Sequence, residues 1–164
     1  MRGQSLSPKG ETDAQSELAL EQLAREVLAE EALAFAEALR EPDSRQRYHR
    51  LAEAASQGSI PQPLLPALEA MLEIVLQTQR IRRQHGPAAE QALIELFGTT
   101  PRGSRLRRAA REVTQALQAL RGQRLESLNV TAGPGTHTLT IQTEACQVTL
   151  KIDPAGCQLA SLEV

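Results

Sequence analysis

TLTIQTEACQVTLKIDPAGC, residues 138–157, alternates apolar and polar side chains with a period of two. Leu139 and Ile141 are followed by Cys146, Val148, Leu150 and Ile152, with Thr, Gln and Lys between them. That period belongs to a β-strand with one buried face. Working outward, Leu128 and Val130 begin the pattern, and the run ending Leu162 and Val164 closes it. Gly133-Pro134-Gly135 and Asp153-Pro154-Ala155-Gly156 supply turn residues, and Glu144 with Ala145 interrupts the alternation between them. The expectation is a four-stranded antiparallel meander over residues 124–164. A hairpin at 153–156 pairs residue 152 with 157 and 146 with 163. Cys146 and Cys157, the two cysteines, then lie too far apart along the ladder for a disulfide and are expected as free thiols. One face of the sheet is apolar and needs a cover.

Upstream of Gly122 the apolar period lengthens to that of a helix. Thr100 caps a helix with Pro101 in its first turn, and Gly122 closes it. Its residues Leu106, Ala110, Val113, Leu117 and Leu120 recur at spacings of four and three, one narrow seam suited to covering the sheet. Before it, residues 64–84 read as one very apolar helix, ended by His85-Gly86, and Pro87 starts a short helix that stops at Gly98. The three prolines of residues 59–66 read as a stiff extended connector. Residues 42–58 form a shorter helix ending at Gly58.

From Asp13 to Arg40 the chain has neither Gly nor Pro and is rich in Ala, Glu, Leu and Gln, which predicts a helix of over 40 Å at about 1.5 Å per residue. Leu20, Leu23, Val27, Leu28, Phe35 and Leu39 lie on one apolar side, a candidate association stripe. Glu31 falls inside the stripe, which favours a stripe that drifts around the helix over an interior carboxylate. The whole reads as α+β: residues 1–12 a disordered tail, 13–60 a long helical arm for association, and 61–164 a head. In the head a helical body over 64–121 precedes the sheet, with an amphipathic helix packed on it.

Composition narrows function. Aromatics are 2% of the 164 residues, so the core is built from Leu, Ile, Val and Ala. The opening ten residues lack the apolar core of a secretory signal, and no window approaches eighteen uncharged apolar residues; a cytoplasmic location is the expectation. The net charge of -2 is unevenly spread. Residues 80–124 carry ten arginines against Glu90, Glu95 and Glu112.

Five of those arginines fall in RGSRLRRAAR, residues 102–111. Arg105, Arg107, Arg108 and Arg111 spread over the polar side of their helix and form the candidate interaction surface. Guanidinium groups there suit phosphate, yet no aromatic residues are interleaved to stack bases and no nucleic-acid-binding signature accompanies them. An acidic protein surface, on this chain or another, is the favoured counterpart.

Catalytic and cofactor motifs are absent. His49, His85 and His137 have no ligand spacing, so no metal site is expected. Neither cysteine has a helix N-terminus or nearby Lys in the sequence to activate its thiol, and Gly133-Pro134-Gly135 leads into a strand rather than the helix a phosphate loop needs. The chain therefore reads as a non-catalytic assembly subunit without cofactor. It is expected to form homo-oligomers through its N-terminal helices, coiled-coil-like but without strict heptads, and to dock a larger protein. A nucleic-acid-binding module using residues 102–111 is the alternative, and a binder of a lipid-like or quinone-like molecule a weaker one. In layout, a helical arm joined to a small α+β head resembles the scaffold subunits that gather copies of a larger enzyme, as in some bacterial hydrogenase complexes. That resemblance implies an oxidoreductase as the docked partner and lies in the order of elements.

Overall fold

The computed structural model describes residues 18–164 and is α+β. Its contacts divide the chain into two units, the first reaching Met71 and the second running Leu72–Val164.

The first unit is built on two antiparallel helices, α1 (Gln22–Ala38) and α2 (Pro42–Gln57). Two short strands clasp their open end: β1 (Leu18–Ala19) pairs with β2 (Ser59–Ile60), Leu18 opposite Ile60. The chain can turn there because Gly58, the α2 cap, adopts φ 91°, a left-handed conformation that glycine enters without a side-chain clash. The Arg25 side chain donates to the Ser56 carbonyl at 2.6 Å and so satisfies the C-terminal end of α2. Ala24, Val27, Leu28, Ala32 and Ala36 of α1 are buried, as are Leu51, Ala52, Ala54 and Ala55 of α2. So many alanines allow the two backbones to approach closely, and Phe35 meets Tyr48 with ring centroids 5.5 Å apart. Burial pushes the Tyr48 phenol above its ordinary pKa, against the opposing charge of Arg47.

Three expectations are corrected in this unit. The first helix begins at Gln22, since residues 18–19 are used as a strand; residues 13–17 of the expected helix lie outside the described residues. Its 17 residues span about 26 Å at the α-helical rise. Glu31 is only 2% exposed, so it is an interior carboxylate and the stripe does not drift to avoid it. The proline-rich connector is extended only through Pro61: residues Gln62–Leu64 form a 3-10 turn that feeds directly into α3 (Leu65–Gln77). The division between units falls inside α3.

Residues 64–84 also depart from a single helix. After α3 the backbone enters the left-handed region at Gln79 (φ 53°) before α4 (Arg80–Gln84). Arg83 donates to the Thr78 carbonyl at 2.7 Å, holding the break from its C-terminal side. α5 (Pro87–Thr99) and α6 (Pro101–Gln118) follow, each with the expected proline in its first turn.

β3 (Leu125–Gly133), β4 (Thr136–Thr143), β5 (Gln147–Asp153) and β6 (Gly156–Glu163) form the antiparallel meander in sequential order. Ile152 pairs with Cys157 as the hairpin turn requires, but a bulge between Thr149 and Leu150 sets Gln147, not Cys146, opposite Glu163. Both cysteines are free. The seam of α6 is shifted as well. Val113 and Ala116 are its buried members, with Leu106, Ala109 and Leu120 half-buried, whereas Ala110 is exposed and Leu117 is 37% exposed.

Glu41 caps α2, accepting from the backbone N–H of Asp43 at 3.0 Å and of Ser44 at 2.6 Å. The Ser44 side chain, then these backbone donors, hold the Glu41 carboxyl below its ordinary pKa. A lowered folded-state pKa contributes stability above the unfolded value and loses it as the pH falls through the folded one. In acid titrations followed by helical circular dichroism, Glu41→Gln should therefore be less stable than wild type near neutrality, and this difference should shrink as the pH drops through the carboxylate range. At the α5–α6 corner, a Cβ on Gly103 would overlap the Phe97 carbonyl oxygen. Without that overlap, Gly103→Ala in a helix would stabilise by up to about 1 kcal/mol. Overpacking against backbone reverses the sign, so urea unfolding should show a loss of about 1–3 kcal/mol.

Candidate interaction surfaces

The alternating apolar residues of the meander align across the sheet. Leu128 lies opposite Ile141, Ile141 opposite Val148, and Val148 opposite Leu162; Val130, Leu139, Leu150 and Leu159 form the next row. A bulge between Leu125 and Ser127 restores the alternation, bringing Leu125 opposite Thr143 on the same face. The β3 end of this face therefore carries Leu125, Leu128 and Val130.

α6 covers only part of it. Val113 and Ala116 pack with Val148 and Leu150, and Leu120, Leu139, Cys157 and Leu159 surround that cluster. Val148 and Leu150 are buried, while Leu125, Leu128 and Val130 remain 55%, 57% and 67% exposed. Among the described residues β3 is also an edge strand, with β4 as its sole neighbour in the sheet. Its first turn of pairing carries Glu126 and the bulge, two features that commonly keep a free edge from pairing, whereas from Ser127 to Gly133 it has neither a charged residue nor a proline.

The position of α6 is set at its start. Thr100 caps it by accepting from the Gly103 N–H at 3.2 Å, and the Ser104 hydroxyl donates to the Gly98 carbonyl at 3.1 Å. Two arginines of the basic run take part in this packing. Arg102 is ion-paired with Glu73. The Arg107 guanidinium occupies the space that a side chain on Gly98 would fill, and donates to the Glu95 carbonyl at 3.4 Å. Arg105, Arg108 and Arg111 are exposed, and no ion pair among the described residues holds them. Earlier in the chain, Arg82 pairs with Glu90 at 3.7 Å and Arg83 donates to the Thr78 carbonyl.

The candidate association stripe of the N-terminal segment is distributed over three levels of burial. Val27 and Leu28 are buried, Leu20, Phe35 and Leu39 are half-buried, and Leu23 is exposed. Exposed Leu33, on a different side of α1, was not part of the stripe.

The buried thiol of Cys146 lies 3.4 Å from the Thr143 hydroxyl and 3.6 Å from the Gln123 amide oxygen. Neither partner is a base that could take its proton, and the Thr143 hydroxyl also accepts from the Cys146 N–H at 3.1 Å. The arrangement closes the β4–β5 turn and ties it to the segment after α6. A shallow cleft of about 260 Å³ lies among Glu73, Leu76, Phe97, Arg102, Leu106 and the Pro154–Gly156 turn; its one cation, Arg102, is already paired. No group of three potential metal ligands is found among the described residues, and no described helix is long and apolar enough to cross a membrane.

Alternation in the sequence identified Leu128 and Val130 as members of an apolar face. It did not identify Leu125, whose parity is wrong until the bulge corrects it, nor which half of the face the helix would leave bare. Against models of known families, curated proteins and solved structures, the chain matches none.

Proposed function

We propose that the protein is a non-catalytic assembly subunit whose sheet is completed by another polypeptide. The observation that carries this reading is the exposure of Leu125, Leu128 and Val130 on the apolar face of the edge strand β3. Water-exposed apolar rows of this kind gain free energy on burial, roughly 25 cal/mol per Å² of surface removed from water. Within α1, by contrast, Val27 and Leu28 are spent on the chain's own core, which moves the proposed association from the N-terminal helices to the sheet.

A direct test isolates tagged wild type and Leu128→Lys/Val130→Lys in parallel from the native cell after brief crosslinking. The subunit reading expects crosslinked polypeptides, of this chain or another, that are depleted in the variant. Identical sets from both would overturn it.

A second reading has its own observation: Arg105, Arg108 and Arg111 are exposed and hold no ion pair among the described residues. Phosphate contacts release counterions and are steeply salt-dependent. If the surface serves nucleic acid, oligonucleotide titration should show micromolar binding that weakens strongly with salt, and Arg105→Gln/Arg108→Gln/Arg111→Gln should abolish it. Binding unaffected by the triple variant would contradict a role for this helix.

A further inference from the structure

We infer that the exposed side of α1 in one copy of this chain docks on the exposed side of α6 in another, an acid-and-leucine stripe meeting a row of arginines. The contact uses neither face of the sheet, so it goes beyond the assembly reading above and is tested apart from it.

The stripe on α1 is Leu23, Glu26, Glu30, Leu33 and Glu37, all exposed. Spacings of three, four, three and four keep these residues on one side of the helix, turned away from buried Ala24, Val27 and Leu28. Of the association stripe expected from the sequence, only Leu23 belongs to it. The stripe is about 21 Å long at the α-helical rise. It is apolar as well as acidic, since Leu23 and Leu33 are 43% and 45% exposed. It also holds no cation: Arg25, the only base in α1, is turned to the Ser56 carbonyl. α6 carries the counterpart. Ser104, Arg108, Arg111, Gln115 and Gln118 are exposed at spacings of four, three, four and three, with Arg105 beside Arg108. This row is also about 21 Å long, and rows of such spacing on two helices pack side by side at a small crossing angle. Glu112 is the only acid in α6, so its exposed side is net positive.

Charge decides which of these surfaces can meet. Two α1 stripes face to face would set Glu26, Glu30 and Glu37 against themselves, and two α6 rows would do the same with their arginines. Pairing unlike surfaces brings carboxylate to guanidinium instead. Arginine suits a stripe that mixes Glu with Leu, because its methylene stem rests on the leucine while its head reaches the carboxylate. A phosphate chain offers nothing to Leu23 or Leu33 and is repelled by the glutamates between them. The matching surface is thus part of the chain itself. One contact covers both leucines and supplies carboxylates to Arg105, Arg108 and Arg111, which hold no ion pair among the described residues. Exposed ion pairs contribute little singly, so the contact depends on the row of charges and the leucines together, and it is sensitive to salt.

The test is sedimentation velocity of the purified full-length chain at micromolar concentration, in about 0.1 M and about 1 M salt, between which the Debye length falls from about 10 Å to about 3 Å. At the lower salt, wild type is expected above the monomer mass, with association about tenfold or more weaker at the higher salt. Arg108→Glu/Arg111→Glu and Glu26→Arg/Glu37→Arg should each weaken association at least as much, with unchanged helical circular dichroism. An equimolar mixture of the two variants re-creates the carboxylate–guanidinium pairing and should associate as wild type does, which a folding defect in either could not produce. Leu33→Ser, which leaves every charge in place, should weaken association as well. A wild type at the monomer mass in both salts, association equal in both, or a mixture that stays dissociated would overturn the inference. Association lost in Leu128→Lys/Val130→Lys but kept in the α1 and α6 variants would place self-association on the sheet, overturning this contact and leaving the assembly reading in place. Oligonucleotide binding that requires Arg108 and Arg111, by a chain monomeric in both salts, would give the arginine row to nucleic acid.

Discussion

One amphipathic helix cannot cover a four-stranded sheet, and this mismatch of widths governs the second unit. The residues that could choose which half of the sheet is covered lie far from the sheet's exposed edge, at the α5–α6 corner. Thr100 closes the first turn of α6, Gly103 permits close approach to the Phe97 carbonyl, and Arg107 fills the space left by Gly98. With the helix so aimed, Val113 and Ala116 meet Val148 and Leu150. Leu128 and Val130 continue the same apolar rows but have no helix above them.

The basic run at residues 102–111 acquires a divided role from the same packing. A charge cluster read along the sequence looks uniform; on the helix, Arg102 and Arg107 belong to the architecture, while Arg105, Arg108 and Arg111 face solvent. Guanidinium groups suit both tasks because their planar cations pair with carboxylates, donate to carbonyls and rest flat against a glycine. The surface available to an acidic or phosphate-bearing partner is correspondingly three side chains.

Punctuation was the most legible part of the sequence. Gly58, the Pro87 and Pro101 helix starts, the Thr100 cap and the Asp153–Gly156 hairpin all act through local backbone chemistry, which needs no knowledge of the rest of the fold. Period-two alternation located all four strands for the same reason. Features decided by tertiary packing were less legible. The start of α1 at Gln22 depends on residues 18–19 pairing with 59–60, a contact some forty residues away in the chain. The α6 seam turned from Ala110 and Leu117 toward Ala109 and Ala116, a rotation decided by how the helix is seated on the sheet rather than by its own periodicity. The bulges at 125–127 and 149–150 have no signature in composition, and the first decides that Leu125 joins the exposed row.

The central claim is that the β3 side of the apolar face is bare in a lone chain and sheltered on association. Hydrogen-exchange mass spectrometry over a dilution series reads this directly, because amides of an edge strand exchange readily until a partner covers them. The account predicts that protection of residues 125–133 rises with protein concentration while that of β5, paired with β4 and β6 in either state, stays constant. Protection of β3 that is independent of concentration would contradict it.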